Sequence, residues 1–174
     1  MAAGTSNYEY IGTPYENFEN QYNYQEPLAP VLIDLSGTIH IDDAVIPGAV
    51  EALKRLRSTN LKIKFVTNTT KESKRILHDR LTKIGFEIDK REIFTSLTAA
   101  HQLLQSRNLR PMMLVANAAH EEFNDIDKEN PNAILVGLVY EEFNYEKLTE
   151  AFRLLMEGAL LVVNYYIDID SGIS

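Results

Sequence analysis

VLIDLSGTIHID, residues 31–42, holds a short, wholly apolar run, Val31-Leu32-Ile33, that stops at Asp34 and gives way to Ser36-Gly37-Thr38. A strand covered by helices on both faces reads this way, because neither side calls for polar alternation. Pro47 and Gly48 then open a helix with Val50, Leu53 and Leu56 on one face. Ile63, Phe65 and Val66 form a second strand, ending in Thr67-Asn68-Thr69-Thr70, a cluster expected to open the next helix. That helix carries the stripe Ile76, Leu77, Leu81 and Ile84 and stops at Gly85. Ile93-Phe94 leads into a third helix with Leu97, Ala100, Leu103 and Leu104 inward. Strand and helix alternating at these spacings predict an α/β fold on a parallel sheet.

Beyond Arg110 the composition shifts, and a boundary is expected there. Met112–Ala116, Ala133–Val139 and Leu160–Val163 read as strands. Tyr145, Leu148, Ala151, Phe152 and Leu155 form a helix stripe that Gly158 stops. Four segments follow: a Tyr-rich tail over 1–29, a first unit over 30–110, a second over 111–163 and a divergent tail over 164–174. The first of these holds five of the nine tyrosines, among Asn, Gln and Glu, and is expected to be disordered.

Apolar residues make up 45% of the 174 and charged residues 24%, which is globular composition. There is no cysteine, so disulfides, thiolate metal sites and cysteine nucleophiles are excluded; a reducing, cytoplasmic compartment fits that zero. No apolar run reaches the roughly 18 residues a membrane span needs. A net charge of −8 argues against nucleic-acid and anionic-membrane partners. The charge is uneven: residues 54–110 are basic, whereas 111–174 carry Lys128, Lys147 and Arg153 against many acids.

Ligands of open parallel sheets bind outside the carboxyl ends of the strands, where this sequence puts two polar loops. Asp34 can serve there as a nucleophile or as a hard-cation ligand. Gly37 permits a tight turn, and Thr67 to Thr70, with Lys71 behind them, offer donors and charge to a phosphate. Either loop alone reads better as a plain turn or an N-cap cluster; their pairing at adjacent strand ends favours a site.

VLIDLSGTIHID at 31–42 followed by KFVTNTTKES at 64–73 resembles the haloacid dehalogenase superfamily, in the branch with a cap inserted after the second motif. The likeness runs from about Pro30 to Val163. It implies a Rossmann-like parallel-sheet core, present here in its first half, with a partial α/β cap. It implies a Mg²⁺-dependent phosphatase acting through an aspartyl-phosphate. By matching position Asp34 is the nucleophile and a metal ligand, and Ser36 offers its carbonyl to the metal. Leu35, Thr67, Asn68 and Lys71 join Asp34 and Ser36 around a small phosphorylated substrate.

The sequence departs from the family twice. Ser36 stands where most members carry a second aspartate that serves as acid and base. A hydroxyl is a poor proton donor, and acid–base catalysis contributes a factor of about 10²–10⁴. Leaving groups that need little enzyme-supplied protonation, such as those of phosphoramidates and pyrophosphate, are then favoured. The resemblance also implies a lysine after the cap and an acidic motif that completes the metal site. These 174 residues hold no Lys or Arg after Arg153, and Asp168 and Asp170 do not match that motif. The chain is therefore expected to be a truncated form, weak or inactive alone; the alternative is a non-catalytic phosphate-binding or protein-interaction remnant. A homodimer through the cap is left open.

Overall fold

The computed structural model describes residues 8–9, 30–139 and 142–163. In chain order the strands are β1 (Tyr8–Glu9), β2 (Val31–Asp34), β3 (His40–Ile41), β4 (Ala44–Val45), β5 (Ile63–Thr67), β6 (Ile93–Thr95), β7 (Pro111–Leu114), β8 (Ala133–Val136) and β9 (Leu160–Val163). The helices are α1 (Ala49–Arg57), α2 (Lys74–Lys83), α3 (Ser96–Ser106) and α4 (Tyr145–Met156). They build two parallel sheets, of order β2-β5-β6 and β1-β9-β8-β7, and an antiparallel hairpin of β3 and β4. Among the described residues no helix is long and apolar enough to cross a membrane.

The first sheet is built around β5, whose Ile63, Phe65 and Thr67 are buried. Phe65 shares one buried core cluster with Leu35, Leu53, Leu77, Leu81, Phe86 and Ile93. The expectation that β2 is buried on both faces does not hold. Leu32 is 37% exposed, and Val31 and Ile33 are only half-buried. The exposure follows one face: Leu32 and Asp34 share their rows with Lys64, Val66 and Phe94, which are only half-buried, whereas Ile63, Phe65 and Ile93 are buried, so among the described residues that face of the sheet is the less covered.

The second sheet is covered on both sides. Leu97, Ala100 and Leu104 of α3 pack with Val115, Ala119, Phe123, Leu135 and Val162, while Ala151 of α4 packs with Leu114, Ile134 and Val139. The third helix, read from sequence as the end of the first unit, thus belongs by packing to the second sheet. A division near Arg110 cuts through that cluster. Periodicity shows that a helix has an apolar face, not which sheet the face meets. Within the Tyr-rich tail, Tyr8 and Glu9 pair in parallel with Leu161 and Val162. The other residues of 1–29, and 164–174, lie outside the described residues.

The two sheets meet where the loop after β5 touches the loop after β8. The Leu138 N–H donates to Thr70 Oγ1 at 2.9 Å. A Cβ at Gly137 would stand 3.2 Å from a Val115 methyl carbon and 3.4 Å from Thr70 Cβ, and both neighbours are buried. Gly137→Ala is expected to destabilise by about 1–3 kcal/mol through overpacking, read as a lowered urea midpoint with an unchanged m-value.

Arg57 at the end of α1 clasps Glu92 at 2.6 and 2.8 Å, and Glu92 also caps the turn that Asp89 opens. Hydrogen bonding by Arg57 holds the Glu92 carboxyl below its ordinary range against the opposing effect of burial. Native Glu92 therefore takes up its proton at lower pH than the unfolded chain does. The stability it contributes is complete above the ordinary glutamate range and is lost as pH falls through the depressed native value. Urea melts between neutral pH and the acid range should show a shallower acid decline for Glu92→Gln than for the wild type.

Candidate functional site

Asp34 lies opposite Val66 in the β2–β5 register, and Thr67 follows directly, so both loops leave the same end of the sheet. Past Asp34 the chain turns sharply. The Leu35 carbonyl accepts from the N–H groups of Thr38 and Ile39 at 3.2 and 3.0 Å. Gly37, with φ +83°, donates its N–H to the His40 carbonyl at 2.8 Å. That left-handed conformation suits glycine because it has no Cβ. Thr38 Oγ1 donates to Asp34 Oδ2 at 3.2 Å, fixing the carboxylate at the strand end.

The second loop differs from expectation. Thr67 to Thr70 do not open a helix; α2 begins at Lys74, with Ser73 as its N-cap. The threonine hydroxyls instead turn the loop, Thr69 N–H reaching Thr67 Oγ1 at 3.4 Å. Local bonds of this kind compete with helix formation. The α2 N–H groups that were to hold a phosphate are also taken: Ile76 N–H by Ser73 Oγ at 3.2 Å and Lys74 N–H by Glu122 at 3.0 Å. Ser73 donates in turn to Glu121, whose carboxyl Arg75 and then Ser73 hold below its ordinary range. Ser96 Oγ braces the loop through the Asn68 and Thr69 carbonyls, 3.1 Å from each.

Asp34, Ser36, Thr67, Asn68 and Lys71 all line one cleft of about 930 Å³. Leu35 is the exception among the expected site residues, since its side chain is 1% exposed and packs in the core around Phe65. Only its backbone remains to serve a ligand.

The cleft has walls that the sequence reading missed. The β3–β4 hairpin brings His40, Asp42 and Asp43; Glu72 and Arg80 flank the start of α2 and its last turn; Ala118 and Leu138 close the side toward the second sheet. Arg80 pairs with Glu72 at 2.6 Å, donates to the Asp42 carbonyl at 2.9 Å and lies 3.9 Å from Asp43, stapling hairpin to helix. Asp42-Asp43 between apolar neighbours was the available signal, since such polar pairs mark hairpin turns. His40 is buried and its Nδ1 lies 2.9 Å from the Asp42 carbonyl, which can only accept, so Nδ1 is the donor.

Among the described residues no three His, Asp or Glu side chains come together as a metal cage. The Asp34 carboxylate and the Ser36 carbonyl are nonetheless hard oxygen donors. They suit a site in which Mg²⁺ keeps water and substrate oxygens beside one or two protein ligands.

The haloacid dehalogenase-like hydrolase profile matches residues 31–129. The haloacid dehalogenase-like hydrolase domain-containing protein 2 of Rattus norvegicus is 56% identical over 135 residues, covering 78% of this chain and 52% of the relative. The phospholysine phosphohistidine inorganic pyrophosphate phosphatase of Homo sapiens is 37% identical over 131 residues, covering 73% and 48%. A solved glycerol phosphate phosphatase from Mycobacterium tuberculosis, in complex with magnesium, superposes with a TM-score of 0.65 at 26% identity, over 77% of this chain and 43% of that one. The chain thus spans about half the length of the curated relatives it matches. A profile match over more than half of the chain, on a parallel α/β fold shared with such phosphatases, places it: it belongs to the haloacid dehalogenase-like hydrolase family.

Proposed function

We propose that the cleft is the nucleophile and phosphate-binding part of a phosphatase site for small phosphorylated substrates. The observation that carries this reading is the meeting of Asp34 with Thr67 and Asn68 in one cleft, at the carboxyl ends of adjacent parallel strands. An Asp34 oxygen attacks phosphorus and forms an aspartyl-phosphate while the bond to the leaving group breaks; water then cleaves the acyl phosphate and restores the carboxylate. Thr67 and Asn68 hold the phosphoryl oxygens in line, Lys71 adds charge at the rim, and Thr38 steadies the carboxylate. Mg²⁺, when bound by the Asp34 carboxylate and the Ser36 carbonyl, neutralises charge between nucleophile and phosphate.

Ser36 contributes a hydroxyl where an acid would protonate the leaving group. Substrates whose leaving group departs without that help fit best, which makes phosphoramidates and pyrophosphate the preferred class. The name of the human relative is consistent with that preference.

Calorimetry with inorganic phosphate and Mg²⁺ tests the site without requiring turnover. The wild type is expected to bind, and Thr67→Val with Asn68→Ala to weaken binding by about tenfold or more, since hydrogen bonds to a charged ligand contribute roughly 1.5–3 kcal/mol each. Absence of binding by the wild type, or equal binding by the double variant, overturns the reading.

A further inference from the structure

Resting on the reading of the cleft as a phosphate site, we infer that the β3–β4 hairpin gives it a second subsite, formed by His40, Asp42 and Asp43, for an ammonium group carried by the phosphorylated substrate. The charges of the cleft point there. Among the described residues Asp34, Asp42, Asp43 and Glu72 line it against Lys71 and Arg80. A pocket for a bare phosphate dianion calls for the opposite sign. Arg80 offsets Glu72 at 2.6 Å, and Asp34 is the carboxylate that meets the phosphoryl group. Asp42 and Asp43 remain. Asp43 is exposed and lies 3.9 Å from Arg80, which Glu72 holds more closely. Asp42 gives its backbone carbonyl to His40 and to Arg80, at 2.9 Å each, and its carboxylate has no partner among the described residues.

A second observation is independent of those charges. His40 lines the same cleft, is 2% exposed, and its Nε2 is buried without a hydrogen-bond partner. Because Nδ1 donates to the Asp42 carbonyl, Nε2 is an acceptor in the neutral ring. A buried polar atom left unpaired is costly, and a ligand or a water that serves it removes the cost. The hairpin thus contributes two carboxylates and an imidazole nitrogen, all acceptors. Their complement is a positively charged donor, and an ammonium supplies three N–H groups. An anionic substituent is repelled there, and a plain alkyl group gains nothing.

Calorimetry with aminoethyl phosphate and ethyl phosphate tests this. Both are titrated with Mg²⁺ present at slightly alkaline pH, where the phosphates are dianions and the amine is still protonated. The ammonium is expected to tighten binding about fivefold, the scale of an exposed ion pair, and the gain to shrink in high salt. Asp42→Asn combined with Asp43→Asn is expected to abolish the gain and to tighten ethyl phosphate slightly, since two negative charges leave the neighbourhood of an anion. A loss of structure would weaken both ligands instead. Asparagine suits the left-handed conformation of residue 42, φ +49°, so the turn is kept. His40→Asn, whose amide can replace the Nδ1 donor but not Nε2, is expected to reduce the gain while ethyl phosphate still binds. Equal binding of the two phosphates by the wild type overturns the proposal and leaves the phosphate site standing. So does a full gain in either variant. A wild type that binds neither ligand overturns both.

Discussion

Assayed alone with Mg²⁺, the 174-residue chain is expected to hydrolyse p-nitrophenyl phosphate and pyrophosphate on the order of 10⁴-fold more slowly than its longer relatives, and Asp34→Asn to remove what remains. Asp34 is anionic and must approach an anionic phosphoryl group, so the rate depends on the cations around them. Among the described residues that line the cleft, Arg80 is committed to Glu72 and to the hairpin, which leaves Lys71 at the rim. The family resemblance implies two further contributions, a lysine after the cap and an acidic motif on the metal, and neither is found among these 174 residues. One lost preorganised electrostatic contact commonly costs about 3 kcal/mol, or roughly 10²-fold, and two together give the stated factor. Steady-state rates of wild type and Asp34→Asn settle the matter. Equal background rates favour a phosphate-binding remnant. Brisk turnover abolished by Asp34→Asn means that other groups, Asp168 and Asp170 or a second copy, complete the site.

Phe65→Ala is expected to cost about 3–5 kcal/mol and to unfold most of the protein at modest urea. Phe65 is fully buried on the middle strand of the first sheet, paired in register with Ile33 and Ile93. Truncation there leaves a void in the core cluster that Phe65 shares with Leu53, Leu77 and Phe86, residues of three separate segments. Because β5 also ends in Thr67, phosphate binding should vanish with the fold rather than separately from it. Parallel urea and phosphate titrations on the variant check both expectations.

The alternation of apolar runs with amphipathic stretches made the parallel α/β fold legible, and β5, α2, β8 and β9 lie within a few residues of where it puts them. The meeting of Asp34 with Thr67 was also legible, because carboxyl ends of parallel strands share a side. Three features were not. Which face of a sheet is covered is settled by what packs on it, so nothing local to Val31–Asp34 foretold its exposure. The Thr67–Thr70 cluster looked like a helix start, but Ser73 outcompetes it, being buried against Glu121 on the neighbouring turn. The acidic wall from Asp42 and Asp43 depends on a two-residue hairpin whose strands are too short to register as a period.

Among the described residues β2 is held along one side only, which bears on how faithfully Asp34 is placed. A strand held along one side is a cantilever, and its alignment rests on one ladder together with the Val31 N–H to Lys62 carbonyl bond at its start. Because side chains alternate, a slip of one residue would withdraw the Asp34 carboxylate and present Ile33 or Leu35 in its place. The buried Leu35 side chain resists that slip, since it would have to leave the core for the carboxylate to move. The buried apolar side chain beside it is thus the pawl that keeps Asp34 in step.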